Sequence, residues 1–201
     1  MSEATAYRWH PAIRRLWPRD EKAFARHLGR LSGDARRLRF GTPAGNAFIR
    51  DYAARAFGLD AIIEACGVGK TVRGVVEVRP VGVDWPAMAE LAITVEPDWQ
   101  QQGMGTALMA RAILAARNRY IQRIYMICLS ENRPMQGLAR KFEADLSVEP
   151  SECEGRIRSP WPTPLSMLRE TLAESDGFVT AVFNAGKAVP PRTGHTRRSR
   201  P

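Results

Sequence analysis

The sequence predicts an α/β (α+β) domain built around a mixed sheet. Three observations carry this. Runs rich in β-branched and apolar residues alternate with stretches of helical periodicity. Of the 201 residues, 44% are hydrophobic, which is enough for a real core. One run, Ile124–Leu129 (IYMICL), is wholly apolar, as expected of a buried central strand.

The elements follow in order. Ala12–Trp17 reads as a short strand. Pro18-Arg-Asp20 then opens a helix, with Asp20 as its N-cap. Ala23, Phe24, His27, Leu28 and Leu31 form its stripe, and it ends near Gly33. A second helix is expected over Asn46–Phe57, with Phe48, Tyr52 and Ala56 at four-residue spacing. Leu59–Cys66 and Thr71–Arg79 are β-rich runs joined by a hairpin turn at Gly67-Val-Gly-Lys70. Met88–Val95 is a third long strand. A helix from Gly103 to about Arg119 places Met104, Leu108, Ala112 and Ala115 on one face. Asn132–Phe142 is helical, with Pro134 tolerated in its first turn. Residues 144–183 suit two short strands and a helix around Ser166–Ser175. Trp161-Pro-Thr-Pro164 reads as a rigid connector.

Composition excludes several classes. With 25% charged residues and no run of ~20 apolar ones, no membrane span is expected. The opening MSEATAYRWHPAIRRLW lacks the apolar core of a secretory signal. Cys66, Cys128 and Cys153 are odd in number and far apart, which argues against a disulfide framework or a paired-cysteine metal site and for the cytoplasm. His10, His27 and His195 lack metal spacing, so no metal is expected, and Cys128 reads as core.

The net charge of +9 resembles a nucleic-acid signal until it is divided by segment. Residues 1–39 carry 10 basic and 4 acidic side chains, and residues 187–201 carry 5 basic and none acidic. Between them, 15 basic face 17 acidic side chains, so the body is near neutral and nucleic acid is not the favoured partner. The expectation is one domain over 1–186 and a basic, disordered tail over 187–201.

Two glycine motifs bear on function. Gly67-Val-Gly-Lys-Thr71 resembles the end of a nucleotide-binding P-loop, but the glycine required at position 64 is Glu64, so the segment reads as a turn. The second motif lies within Ala89–Met109. A strand ends at Val95, Glu96-Pro-Asp-Trp99 turns, and Gln100-Gln-Gln-Gly103-Met-Gly105-Thr106 leads into a helix. Glycines let backbone N–H groups approach a ligand, and a helix N-terminus favours phosphate. The dinucleotide fingerprint is not met, because its third glycine would fall on Leu108. On these residues alone, a tight turn without a ligand fits equally well.

The pattern Val95-x-Pro-x-x-Gln100-x-x-Gly103-x-Gly105 resembles motif A of the GNAT superfamily of acyl-CoA-dependent N-acetyltransferases. Asn132–Phe142 is similar to that family's helix after its fifth strand. Arg14–Asp20 and Leu31–Phe40 resemble the opening of its bacterial protein-acetyltransferase-like branch. The resemblance covers roughly residues 12–150. It implies a mixed central sheet of about six to seven strands flanked by about four helices. Acetyl-CoA would be the cosubstrate, its arm lying along Ile93, Thr94 and Val95 as an added strand. Gln100, Gln101, Gln102, Gly103, Met104, Gly105 and Thr106 would hold the pyrophosphate. Asn132 matches a residue that contacts the arm, and Gln101 stands where relatives often have glycine.

The implied reaction is direct attack of a primary amine on the thioester. An amine of pKa ~10.4 is protonated at neutral pH, so a base is needed. Glu90 matches the base of the protein-acetyltransferase-like branch, and Glu77 on the neighbouring strand is the reserve. Many relatives carry a tyrosine on the later helix as general acid. The matching position is Ala139, which leaves water, Tyr125 or Ser130. The acceptor is a small-molecule amine or a protein lysine or N-terminus, and a homodimer is compatible with the sequence. The rival reading is a catalytically weak acyl-CoA-binding regulatory module whose basic ends dock on an acidic partner or nucleic acid.

Overall fold

The computed structural model describes residues 12–58, 60–68, 71–82 and 87–183, with side chains described as far as residue 175. The segment 187–201, His10 and His195 lie outside the described residues. The order is β1 (Ile13–Arg15), a 3-10 turn (Pro18–Asp20), α1 (Glu21–Arg30), α2 (Gly33–Phe40), α3 (Asn46–Ala56), β2 (Ile62–Val68), β3 (Thr71–Val81) and β4 (Ala87–Val95). A second 3-10 turn (Pro97–Trp99) follows, then α4 (Met104–Arg117), β5 (Ile121–Leu129), α5 (Arg133–Lys141), β6 (Asp145–Val148), β7 (Glu152–Arg158) and α6 (Pro164–Phe183).

The seven strands form one sheet in the order β1-β2-β3-β4-β5-β7-β6. All neighbours are antiparallel except β4 and β5, which run parallel. One face carries α1 and α3. There Phe24, Leu28, Ile49 and Ala53 pack with Ile63 and Val75. On the other face Leu108, Met109 and Ala112 of α4 pack with Val76, Leu91, Ile124 and Met126. Burying a side chain such as Phe24 or Leu108 stabilises the fold by about 1.5–3 kcal/mol.

The mixed sheet, the α4 stripe and the two strands plus helix after residue 144 match expectation. Four features differ. Six α-helices flank the sheet among the described residues, against about four expected. The additional α2 is short and rich in arginine, so hydrophobic periodicity does not reveal it. Its caps do: the Ser32 hydroxyl accepts from the Ala35 N–H, and Gly41 closes the helix at φ +73°.

The other three differences lie in α1, α3 and β5. Asp20 makes no side-chain cap on α1. Instead it accepts from the Trp17 N–H and pairs with Arg14 at 2.7 Å. The buried stripe of α3 is Ile49, Ala53 and Ala56, whereas Phe48 and Tyr52 cluster with Phe40 beside it. β5 is not buried throughout: Ile124, Met126 and Cys128 are covered, but Ile127 is 56% exposed, because that side of the strand meets a cavity rather than a helix layer. β2 and β3 pair antiparallel as far as Val68 and Thr71, as a hairpin requires, and residues 69–70 of the expected turn lie outside the described residues. A Cβ at Gly67 would lie 2.3 Å from the Thr71 carbonyl oxygen, so only glycine fits that bulge. Among the described residues no helix is long and apolar enough to cross a membrane.

Candidate active site

The site arises from an interrupted ladder. β4 and β5 pair only over Ala87–Glu90 and Ile121–Tyr125, and the last partners are Glu90 and Tyr125. Both strands continue, β4 to Val95 and β5 to Leu129. β4 stays paired with β3 as far as Val95, and β5 with β7 as far as Leu129. Each strand is therefore held on its outer side while the inner edges part. Leu91–Val95 and Met126–Leu129 turn backbone groups toward a gap instead of a strand, and such groups need partners. A cavity of about 480 Å³ occupies the gap, within the range of small-molecule sites.

One end of the cavity meets the start of α4. Gly103 precedes that helix at φ +86°, a conformation that strains any residue with a Cβ. No side chain caps α4, and its first internal bond runs from the Ala107 N–H to the Gly103 carbonyl. The amides of Met104, Gly105 and Thr106 thus have no helical acceptor. A Cβ built on Gly103 would meet nothing within 4 Å, and one on Gly105 would make only ordinary contact with Leu138 and Val95. The first turn of α4 therefore opens onto free space lined by positive dipole ends.

The loop before α4 is held by its own side chains. Gln100 donates to the Val95 carbonyl at 3.0 Å, and Gln102 donates to the Asp98 carbonyl at 3.0 Å. Gln101 sits at φ +58° where glycine would be unstrained. Behind the loop lies a buried network. His27 on α1, 0% exposed, bonds Thr94 Oγ1 at 2.8 Å through Nε2 and Glu96 at 3.2 Å through Nδ1. Arg30 and Arg73 also reach the Glu96 carboxylate, at 2.8 and 2.6 Å. Burial would raise the Glu96 carboxyl, but the hydrogen bonds from His27, Arg30 and Arg73 prevail and hold it at about 2. Burial pushes His27 below its ordinary value, so the ring is neutral, donating from Nδ1 to Glu96 and accepting from Thr94. This network fixes the end of β4 and was not legible as a site feature.

Glu90 and Glu77 differ sharply in surroundings. Glu90 lines the cavity at the apex of the gap, and its carboxylate makes no ion pair or hydrogen bond among the described residues. Glu77, 1% exposed, accepts from Arg39, Arg79 and Tyr52 at 2.6–2.8 Å. Burial alone would raise its carboxyl, but the two guanidinium groups outweigh burial and hold it low. Burial, then Glu77, pushes the Tyr52 phenol up to about 12. A carboxylate clamped by two arginines is a poor proton acceptor, so the reserve candidate is structural.

The other expected residues fall as follows. Ile93, Thr94, Val95, Gln100, Gln101, Gly103, Gly105, Thr106 and Asn132 line the cavity with Glu90. Gln102 does not, and the side chain of Met104 is buried in the core at 1% exposure. Asn132 uses its Oδ1 to cap α5 by accepting from the Met135 N–H. Ala139 is buried, and the residues of α5 that face the cavity carry no hydroxyl. Ser130 donates to the Pro150 carbonyl at 2.7 Å. Tyr125 stands opposite Glu90 in register, and burial followed by the Glu90 charge raises its phenol. Two charged cavity residues escaped the sequence reading. Arg39 arrives on the unexpected α2, and Lys141 reaches Thr106 Oγ1 at 3.3 Å beside the α4 turn. Among the described residues no group of three or more acidic, histidine or cysteine side chains could hold a metal.

Solved structures share the fold. The GNAT domain of S. lividans PAT aligns at TM-score 0.65 with 20% identity, over 73% of this chain and 89% of that one. The ribosomal-protein-alanine N-acetyltransferase from Brucella melitensis aligns at 0.58 with 15% identity, over 73% and 98%. Salmonella typhimurium yncA, solved with its cofactor acetyl-CoA, aligns at 0.59 with 12% identity, over 77% and 97%. A search of curated proteins gives no match. The model of the acetyltransferase (GNAT) family matches residues 26–143, which spans β4, the Gly103 turn and α5, and the chain belongs to that family.

Proposed function

We propose that this chain transfers an acetyl group from acetyl-CoA to a primary amine by direct attack, with Glu90 as general base. The observation that carries the reading is the convergence on one cavity of two sets of backbone groups without a strand or helix partner: the inner edges of Leu91–Val95 and Met126–Leu129, and the first-turn amides of α4. An extended chain of amides with a diphosphate at one end satisfies both. The residues fit that carrier. Ile93, Thr94 and Val95 would lie against its arm, and Gly103, Gly105 and Thr106 with Lys141 would meet its diphosphate. When bound, the carrier supplies an activated thioester.

The chain's own residues supply the remainder. Glu90 stands where the gap closes, exposed to the cavity and free to accept a proton from an incoming ammonium, directly or through water. Freeing a lysine-like amine at pH 7 costs about 4–5 kcal/mol, which is the obstacle a base lowers. Tyr125, opposite Glu90 in register and keeping its proton, does not line the cavity, so a water in the cavity serves as donor to the departing thiolate, with Tyr125 behind it.

Two measurements test this together. Calorimetry should show acetyl-CoA binding the full chain, and a thiol-release screen over amines, amino acids and lysine peptides should give turnover with at least one acceptor. Binding without thiol release on any acceptor contradicts the enzyme reading, and absence of binding contradicts the site.

A further inference from the structure

Sheet register joins two cysteines that lie far apart in sequence. Cys128 on β5 is paired directly opposite Cys153 on β7, so both side chains rise from the same face. Opposed residues of antiparallel strands have Cα atoms about 4.5–5.5 Å apart, inside the roughly 4.4–6.8 Å that a disulfide spans. Their Cβ atoms lie about 4.5–5.5 Å apart, wider than the mean of about 3.8 Å across a disulfide. A bond formed here is therefore strained and easily reduced.

Both thiols are free and buried. They are not equally shielded: Cys153 is 1% exposed, while Cys128, 8% exposed, lines the cavity beside Asn132 and Leu138. The third cysteine, Cys66, is 1% exposed and points its sulfur at the Gly74 carbonyl, away from this pair. Cys128 is thus a thiol on the wall of the site that the transfer reaction does not use.

We propose that Cys128 and Cys153 form a dithiol that can be closed, a slow modification site for small neutral disulfides entering through the cavity, which closes to a reversible disulfide between β5 and β7. The Cys128 sulfur attacks one sulfur of the small disulfide, forming a mixed disulfide and releasing one mercaptan. Cys153 then attacks the Cys128 sulfur and releases the second mercaptan. The two cysteine protons end on the two mercaptans, so the dithiol is oxidised and the small disulfide reduced. Burial pushes the Cys128 thiol up to about 11, so closure quickens as pH rises.

The test treats the native full chain with hydroxyethyl disulfide, alkylates remaining thiols after unfolding, and maps peptides by mass spectrometry. The expected product links Cys128 to Cys153, is reversed by dithiothreitol, and leaves Cys66 alkylated. In Cys153→Ser, Cys128 should stop at the mixed disulfide. In Cys128→Ser, Cys153 should stay unmodified. The proposal is overturned if both cysteines stay free in the native chain while an unfolded sample reacts, or if the wild type carries mixed adducts without the link. A further arm rests on the carrier reading. Acetyl-CoA at ~10 times its dissociation constant should slow linkage about tenfold. Linkage at an unchanged rate upholds the dithiol and overturns the carrier's place in the cavity. A missing link overturns the dithiol and leaves the carrier reading intact.

Discussion

The two halves of β4 share one strand and one partner in β3, yet they meet different surroundings on the other edge. Ala87–Glu90 is hydrogen-bonded to β5, whereas Leu91–Val95 faces a cavity. The paired half is ordinary sheet. The unpaired half exposes backbone donors and acceptors in the middle of the molecule, where leaving them unmet is costly. The difference teaches that the site is made by withholding hydrogen bonds, and that the ladder stops at Glu90 and Tyr125, the residues to which the proposed function assigns proton transfer. The same contrast recurs in the carboxylates. Glu77 is clamped by Arg39, Arg79 and Tyr52 and holds elements together, while Glu90 is left open to the cavity.

The largest effect should come from removing the proposed base at the boundary. Glu90→Gln should lower kcat by about 10²–10⁴ while acetyl-CoA affinity by calorimetry holds. An unchanged kcat across pH 6–9 would break the comparison between the two carboxylates. Glu77→Gln should act the other way. It leaves Arg39 and Arg79 without their charge partner and should cost about 3 kcal/mol in chemical denaturation, with residual activity per folded molecule far above that of Glu90→Gln.

Acid sharpens the role of the network behind β4. The folded chain holds His27 below its ordinary 6.5, so the unfolded chain binds a proton first and stability falls as pH drops below about 6.5. Glu96 adds stability that is fully present above its ordinary 4.5 and is lost as pH falls toward about 2. Glu96→Gln should cost about 2 kcal/mol at pH 7, and its gap from wild type should narrow between pH 4.5 and 2 in denaturation curves.

Smaller changes address the turn into α4. Gly103→Ala should lose about 1–2 kcal/mol, divided between folding and carrier affinity, because its φ of +86° suits glycine alone. Gln101→Gly relieves the same kind of strain at φ +58° and should shift stability by less than about 1 kcal/mol in the stabilising direction. A clear loss instead would mean that the Gln101 side chain holds the cradle.

What was legible in the sequence is what local pattern encodes. The α4 stripe of Met104, Leu108, Ala112 and Ala115 and the glycine turn before it are properties of neighbouring residues, and they match. Motif resemblance then placed one part of the cavity wall, the end of β4, the turn into α4 and Asn132. Three features were hidden because they depend on distant partners. IYMICL looks fully buried until the gap uncovers Ile127. His27 reads as one member of a helical stripe, since Thr94 and Glu96 lie 67 and 69 residues away. Cys128 and Cys153 become neighbours only through the β5–β7 register. α2 was missed for a different reason: its caps at Ser32 and Gly41 are local signals, but its arginine-rich sequence offers no stripe.

Amide hydrogen exchange read residue by residue by NMR tests the central claim most directly. With acetyl-CoA saturating, the amides of Leu91–Val95 that point away from β3 should slow by about tenfold or more, while those of Ala87–Glu90, already paired on both sides, hold their rates. Unchanged exchange across Leu91–Val95 with the carrier demonstrably bound would contradict the account, since the carrier would then lie elsewhere than along the open edge of β4.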